Sequence, residues 1–210
     1  AEWLKNAVDA YRRTSTRQDD QHIIFRFTDQ GVTHPIIECV DFIGMTRNDI
    51  EKAFKRWGDP SAAGRGTRIT TYGGHGNGGK FYMRQMFKES HFVTYKDGLL
   101  NVFGFSNKKY GYAKGYQDKN MTPQQAIEFA EIEGLPIPTE IKKKILASNT
   151  GFTVVQGVSP QGVGSKFKVT REIERFKNHP KSRRILARTN EAVIYNGHSL
   201  YALLRPDEIE

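Results

Sequence analysis

Two β-rich runs near the start of the chain, residues 22–28 (H-I-I-F-R-F-T) and 35–41 (P-I-I-E-C-V-D), flank a short polar turn containing Asp29-Gln30-Gly31. A connection that short joins antiparallel neighbours, because a parallel crossover needs a dozen residues or more. The pattern recurs. Residues 91–95 and 99–105 read as strands around Lys96-Asp97-Gly98, and 192–195 as a strand that ends in Asn196-Gly197, a hairpin turn. Residues 150–157 and 184–188 read as further strands. Helical segments are expected at 1–13, after Thr46 (an N-cap with Asp49 at N3 and apolar Ile50, Ala53, Phe54 and Trp57), at 80–87, after Thr122 (Pro123 at N1, Gln125 at N3), at 140–147 and at 171–178. Strand hairpins alternating with helices in one chain predict a single α/β domain over residues 1–210, with a mixed, largely antiparallel sheet.

Bulk properties set the class. The chain has 210 residues, 37% hydrophobic and 26% charged, enough to bury a core. Its one cysteine, Cys39, cannot form an intrachain disulfide and lies in an apolar strand, as expected of a core thiol in a reducing compartment. No run approaches the ~18 apolar residues of a membrane span, and the start has no signal-peptide pattern. The expectation is a cytoplasmic protein with no membrane partner. Thirty-two basic and 23 acidic residues give a net charge of +9, which favours polyanions. The basic residues are scattered, denser over 166–188, so nucleic-acid contact is possible but not indicated. None of the six histidines pairs at i,i+4 and none has a cysteine partner, which argues against zinc.

Three segments carry chemistry. On a helical wheel of residues 1–13, Glu2, Asn6, Asp9 and Arg13 form one line, with Trp3, Leu4, Ala7, Val8, Ala10 and Tyr11 opposite. A carboxylate can take a proton from water, and an amide oxygen can ligate Mg²⁺; an amphipathic surface helix would show the same wheel. In Asp41-Phe42-Ile43-Gly44-Met45-Thr46 an acidic residue ends a strand, and a glycine and a polarizable methionine lead into a capped helix. There Asp41 can accept a hydrogen bond from an exocyclic amine such as that of adenine, and Gly44 lets a flat base approach the backbone. A plain strand-turn-helix junction is the alternative. Residues 58–79 hold eight glycines and a proline and end in Gly73-Gly74-His75-Gly76-Asn77-Gly78-Gly79-Lys80 before a helix. Glycine-rich backbone at a helix N-terminus binds phosphate, and Lys80 adds a cation; a flexible linker is the bland reading. Residues 74–81 miss the P-loop pattern at Phe81, which has no hydroxyl for Mg²⁺.

E-x-x-x-N on a helix, D-x-x-G-M after a strand and G-x-x-G-x-G before a helix, in that order, give the chain its resemblance to the GHKL ATPase superfamily, which includes gyrase, the ninety-kilodalton heat-shock chaperones, histidine kinases and MutL. The match spans residues 2–80. Thr150-Gly151-Phe152-Thr153 looks like the family's strand that closes the same pocket. The resemblance implies a two-layer α/β sandwich with an ATP lid at 58–79 and an insertion-like segment at 107–148. It implies ATP and Mg²⁺ as ligands. Glu2 would be the general base, Asn6 the Mg²⁺ ligand, Asp9 a supporting residue and Asp41 the reader of adenine. Gly44, Met45 and Thr153 would line the nucleotide pocket, and Gly73, Gly76, Gly78, Gly79 and Lys80 the lid and phosphate site. Glutamate at Glu2 favours slow hydrolysis and a place closer to the chaperone and MutL side, with lid closure coupled to a homodimer or protein partner. A non-hydrolysing nucleotide switch and a basic nucleic-acid-associated module are the rival functions.

Two departures stand out. Asp41 and Gly44 are three apart, one residue short of the usual D-x-G-x-G. The family's first helix normally begins a few turns earlier, so the chain reads as a segment of a longer protein. If the first helix carries the metal, Asn6→Ala abolishes Mg²⁺-dependent ATP turnover and weakens Mg·ATP far more than metal-free adenosine, measured by steady-state turnover and calorimetry; unchanged turnover would return this helix to the amphipathic surface reading.

Overall fold

The computed structural model describes residues 1–14, 21–52, 86–106, 110–132, 139–148, 150–164 and 169–209. In chain order the elements are α1 (Glu2–Arg12), β1 (His22–Thr28), β2 (Ile36–Asp41), α2 (Arg47–Ile50), β3 (Glu89–Lys96), β4 (Leu99–Ser106), β5 (Tyr110–Tyr112), β6 (Lys119–Asn120), α3 (Pro123–Ile132), α4 (Thr139–Ser148), β7 (Phe152–Val158), α5 (Val169–Asn178), α6 (Pro180–Arg188), β8 (Ala192–Tyr195) and β9 (His198–Leu200). All the strands join one nine-stranded sheet in the order β5-β4-β3-β7-β2-β1-β8-β9, with β6 also beside β4. Among the described residues β1 and β8 run parallel, and the other pairs are antiparallel. This is the mixed, largely antiparallel α/β architecture expected from the sequence.

Alternation along the strands sorts the core onto two faces. Ile23, Phe25, Cys39, Phe92, Phe103, Val193 and Tyr195 point to one side, where Trp3, Leu4, Val8 and Tyr11 of α1, Ile173 of α5, and Ile185 and Leu186 of α6 pack on them. Phe25 and Tyr195 stack at 5.7 Å and Phe92 and Phe103 at 5.6 Å within this layer. Ile24, Val40, Val93, Tyr95, Leu100 and Val154 point the other way, under a smaller cover from Ala126, Ile127 and Ala130 of α3 and Ile145 of α4.

The turns follow their residue chemistry. Asp97 and Gly98 (φ 51° and 79°) and Asn196 and Gly197 (φ 46° and 80°) have the paired positive φ of two-residue hairpins. Asn196 does more than turn the chain. Its Oδ1 accepts from the Phe27 amide at 2.7 Å and its Nδ2 donates to the Phe27 carbonyl at 3.0 Å, so a side chain extends the β1–β8 ladder. The Thr46–Asp49 capping box opens α2, and Thr122 and Gln125 bond reciprocally before α3.

Two local expectations change, and others fall on residues that are not described. Residues 184–188 are helical, not a strand: they belong to α6, which opens with Pro180 at its start and buries Ser182, Ile185 and Leu186 at helical spacing. The short apolar run Ile185-Leu186-Ala187 passes for a strand only when read without that proline. Phe87, expected at the end of a helix, lies in a bend before β3; its ring stacks on Trp3 at 5.2 Å and sits where a Cβ on Gly157 would go. Residues 80–85 of that expected helix, the later positions Ala53, Phe54 and Trp57 of the helix expected after Thr46, and the glycine-rich stretch 58–79 with Gly73, Gly76, Gly78 and Gly79 lie outside the described residues, as does Lys80.

Gly44 and Gly151 meet at one backbone crossing. Gly44 has φ +77°, and a Cβ there would run into the Tyr95 carbonyl oxygen. A Cβ on Gly151 would stand 2.6 Å from the Ile43 carbonyl oxygen. Backbone cannot step aside as a flexible side chain can. Gly44→Ala is therefore expected to cost more than about 2 kcal/mol of unfolding free energy in a urea titration, through strain at positive φ plus overpacking.

Candidate functional site

The site begins at the first helix. Tyr11 is fully buried; its hydroxyl donates to the His22 carbonyl at 2.6 Å and accepts from the Phe42 amide at 2.9 Å. One phenol thus ties α1 to the start of β1 and to the turn after β2. Burial pushes that hydroxyl well above the ordinary tyrosine range, with the Asp41 carboxylate adding to the effect, so it stays protonated and keeps its donor.

Asp41 ends β2. Its Oδ1 accepts from the Ile43 amide at 3.2 Å, and the Gly44 amide also favours the charged form. Desolvation outweighs both and raises this carboxyl from 3.8 to about 7. In the strand register Asp41 faces Thr153 of β7, which faces Thr94 of β3. The Thr94 and Thr153 hydroxyls lie 2.9 Å apart, and the Met45 amide donates to the Thr94 hydroxyl at 2.7 Å. A carboxylate and two hydroxyls therefore form a row across three neighbouring strands, on the face that α1 covers. The turn carrying Gly44 and Met45 is pinned to that row.

α1 itself is not a solvated polar helix. Glu2 and Asp9 are buried along with the apolar face, while Asn6 is exposed. Glu2 is only 8% exposed and meets two cations: Lys5 Nζ lies 2.8 Å from Oε2, and Lys181 Nζ of α6 contacts Oε1. The sequence places Glu2, Asn6, Asp9, Asp41, Gly44, Met45 and Thr153 in one site region, and the structure puts α1, the end of β2 and the start of β7 side by side. Local patterns passed over three residues. Tyr11 reads as an ordinary apolar-face position, Thr94 has no sequence feature pointing to Thr153, and Lys181 is separated from Glu2 by 179 positions. Gly44 has a structural reason to be glycine besides closeness to a base, namely the Tyr95 carbonyl.

The site region is thus a mixed α/β sheet with a carboxylate at a central strand end and a helix laid across it. The fold is similar to that of the GHKL ATPases. The ATPase region of Saccharomyces cerevisiae topoisomerase II superposes with a TM-score of 0.53 at 15% identity, covering 95% of this chain and 47% of that one. The B subunit of DNA gyrase from Myxococcus xanthus gives a TM-score of 0.44 at 11% identity, covering 96% and 49%. The 43K ATPase domain of Thermus thermophilus gyrase B, in complex with an aminocoumarin, gives 0.42 at 11%, covering 95% and 44%; these two are too distant to carry weight. The chain spans about half the length of these structures. No protein-family model and no curated protein matches the chain. The chaperone and MutL placement expected from Glu2 gains nothing from these neighbours. No helix among the described residues is long and apolar enough to cross a membrane.

The raised Asp41 carboxyl has a consequence for stability. Between pH 3.8 and about 7 the folded chain keeps a proton that the unfolded chain has released. Stability from this group therefore falls as pH rises through that window, and the loss is complete above it. Asn at this position keeps a carbonyl acceptor for the Ile43 amide without the buried charge. Asp41→Asn should match the unmutated chain near pH 4 and exceed it by more than about 1 kcal/mol at pH 8 in urea unfolding. A variant less stable at pH 8 than at pH 4, relative to the parent, would show that the amides outweigh burial.

Proposed function

We propose that the chain is an ATP-binding domain that hydrolyses ATP slowly with Mg²⁺. The observation that carries this is the Asp41–Thr153–Thr94 row at the mouth of a GHKL-like sheet, with Gly44 and Met45 pinned over it. The half-buried Asp41 carboxylate accepts a hydrogen bond from the exocyclic amine of adenine, and Thr153 supplies a hydroxyl beside it. Met45 is half-buried against the same core and offers a polarizable thioether to a base. The partial protonation that burial imposes on Asp41 at neutral pH is what a bound amine donor would reverse.

At the other end of the site, the exposed Asn6 amide stands one helical turn from Glu2. Among the described residues no three His, Cys, Asp or Glu side chains gather as metal ligands, so the donor set is one neutral oxygen plus phosphates. That fits Mg²⁺, which keeps several of its waters. Bound there, Mg²⁺ would neutralise phosphate charge. Glu2 takes the proton of the attacking water through its carboxylate, while Asp9 buttresses the same helix from its buried side. The glycine-rich stretch at residues 58–79, with Gly73, Gly76, Gly78, Gly79 and Lys80, is proposed as the phosphate-contacting lid. Its closure would be coupled to a second copy or a protein partner, in a protein working in the cytoplasm.

The direct test is nucleotide preference by calorimetry. The unmutated chain should bind ATP at least about tenfold more tightly than GTP, and Asp41→Asn should lose more than about 1 kcal/mol of ATP affinity, since a charge-assisted hydrogen bond disappears. Equal affinity for ATP and GTP would sink the role of Asp41. The same substitution is expected to stabilise the empty fold above pH 7, so a loss of binding in a more stable protein separates function from folding.

A further inference from the structure

Glu2 is buried and held from two sides, and one of its partners comes from the far end of the sequence. We propose that Lys181 is a positioning residue for Glu2, holding the carboxylate charged and oriented from α6. This rests on the ATPase reading above.

A carboxylate only 8% exposed would tend to take up a proton in the absence of a paired cation. A protonated glutamate accepts no proton from water. Two ammonium groups oppose that. Lys5 is on the same helix, with a side chain 11% exposed, and so moves with Glu2. Lys181 is 44% exposed and rooted in the first turn of another helix, so it fixes Glu2 relative to the rest of the fold. A carboxylate has about four lone-pair sites. Oε2 is closed to solvent and lies against Lys5, so an attacking water would have to approach at Oε1, beside the exposed Lys181.

The anchor is itself anchored. α6 buries Ser182, Ile185 and Leu186. Arg183, two residues beyond Lys181, donates to the Leu203 carbonyl at 2.6 Å and pairs with Glu208 at 3.3 Å. Glu208 in turn accepts from the Arg205 amide at 2.8 Å. The C-terminal segment thus sets where α6 sits, and α6 sets where the Lys181 ammonium can reach. The other titratable side chains on strands packed against α1 are His22 and Arg26 of β1 and Glu38, Cys39 and Asp41 of β2, with Arg26 and Glu38 paired to each other; α6 adds Arg183, Arg184 and Arg188 beside Lys181. His22 and Asp41 belong to the Tyr11 end, about two and a half helical turns from Glu2.

The test compares the unmutated chain with Lys181→Met and Lys181→Arg, reading steady-state ATP turnover from pH 6 to 9 and calorimetric binding of a non-hydrolysable ATP analogue. Lys181→Met should lower kcat at least about tenfold at pH 7 while leaving analogue affinity within about twofold. The deficit should shrink toward pH 9 as Glu2 regains its charge. Lys181→Arg should keep kcat within about threefold, because the cation is preserved. An unchanged kcat in Lys181→Met overturns the assignment and leaves the ATPase reading intact. So does a loss that is equal at every pH and not restored by arginine, which would mark Lys181 as merely structural. A parent chain that binds no ATP, or binds it without turnover, overturns the hydrolytic reading and the role of Lys181 together.

Discussion

The Tyr11 hydroxyl gives one hydrogen bond to the His22 carbonyl and receives another from the Phe42 amide, and the side chain is buried. Removing one partner of a buried pair costs more than the bond itself contributes, because the other group is left desolvated. Here two backbone groups share the one phenol. They belong to the segment entering β1 and to the turn leaving β2, and Tyr11 belongs to the helix that lies across both. The distance between α1 and the end of β2 is therefore fixed by a side chain, and every relation between Glu2, Asn6 and Asp41 depends on it.

A second constraint is steric. Three pieces of backbone, around residues 43–44, 95 and 151, approach so closely that two glycines are required where they meet. The approach lets the Met45 amide reach the Thr94 hydroxyl and brings Thr94 within 2.9 Å of Thr153. Packing at the crossing and polarity of the row are two aspects of one geometry. Beside it stands the raised Asp41 carboxyl, whose shift comes from desolvation at the strand end. The fold thus carries an electrostatic cost at Asp41 once this carboxyl ionises.

Charge is handled differently on the polar side of α1. Glu2 lies between Lys5 and Lys181, and elsewhere Glu38, also buried, is met by Arg26 and by Gln156 at 2.9 Å across neighbouring strands. In both places a carboxylate is removed from water only where a cation comes with it. Much of the chain's excess of basic residues is exposed on α5 and α6, and part of it is drawn inward to serve these acids.

Much of this could be read along the chain. Hairpins at Asp97-Gly98 and Asn196-Gly197 were legible because paired positive φ demands those residues. The α2 and α3 starts were legible because capping is local chemistry. The Glu2/Asn6, Asp41/Gly44/Met45 and Thr153 segments stood out as patterns of three to five residues. What the sequence could not reveal involves partners far apart along it. β8 returns to lie parallel beside β1, and no short connection announces a parallel pair. Residues 184–188 carry a short apolar run that a strand would also accept, and the helix wins because Ile185 and Leu186 find the core of α1 and the sheet. Thr94 meets Thr153, and Lys181 meets Glu2, only when the sheet and α6 are assembled. Local hydrogen bonding and φ preferences act over a few residues, so the sequence alone determined the turns, the caps and the candidate site residues. Burial and desolvation act over the whole fold, so only the tertiary structure decided which of those residues are charged, paired and held in place.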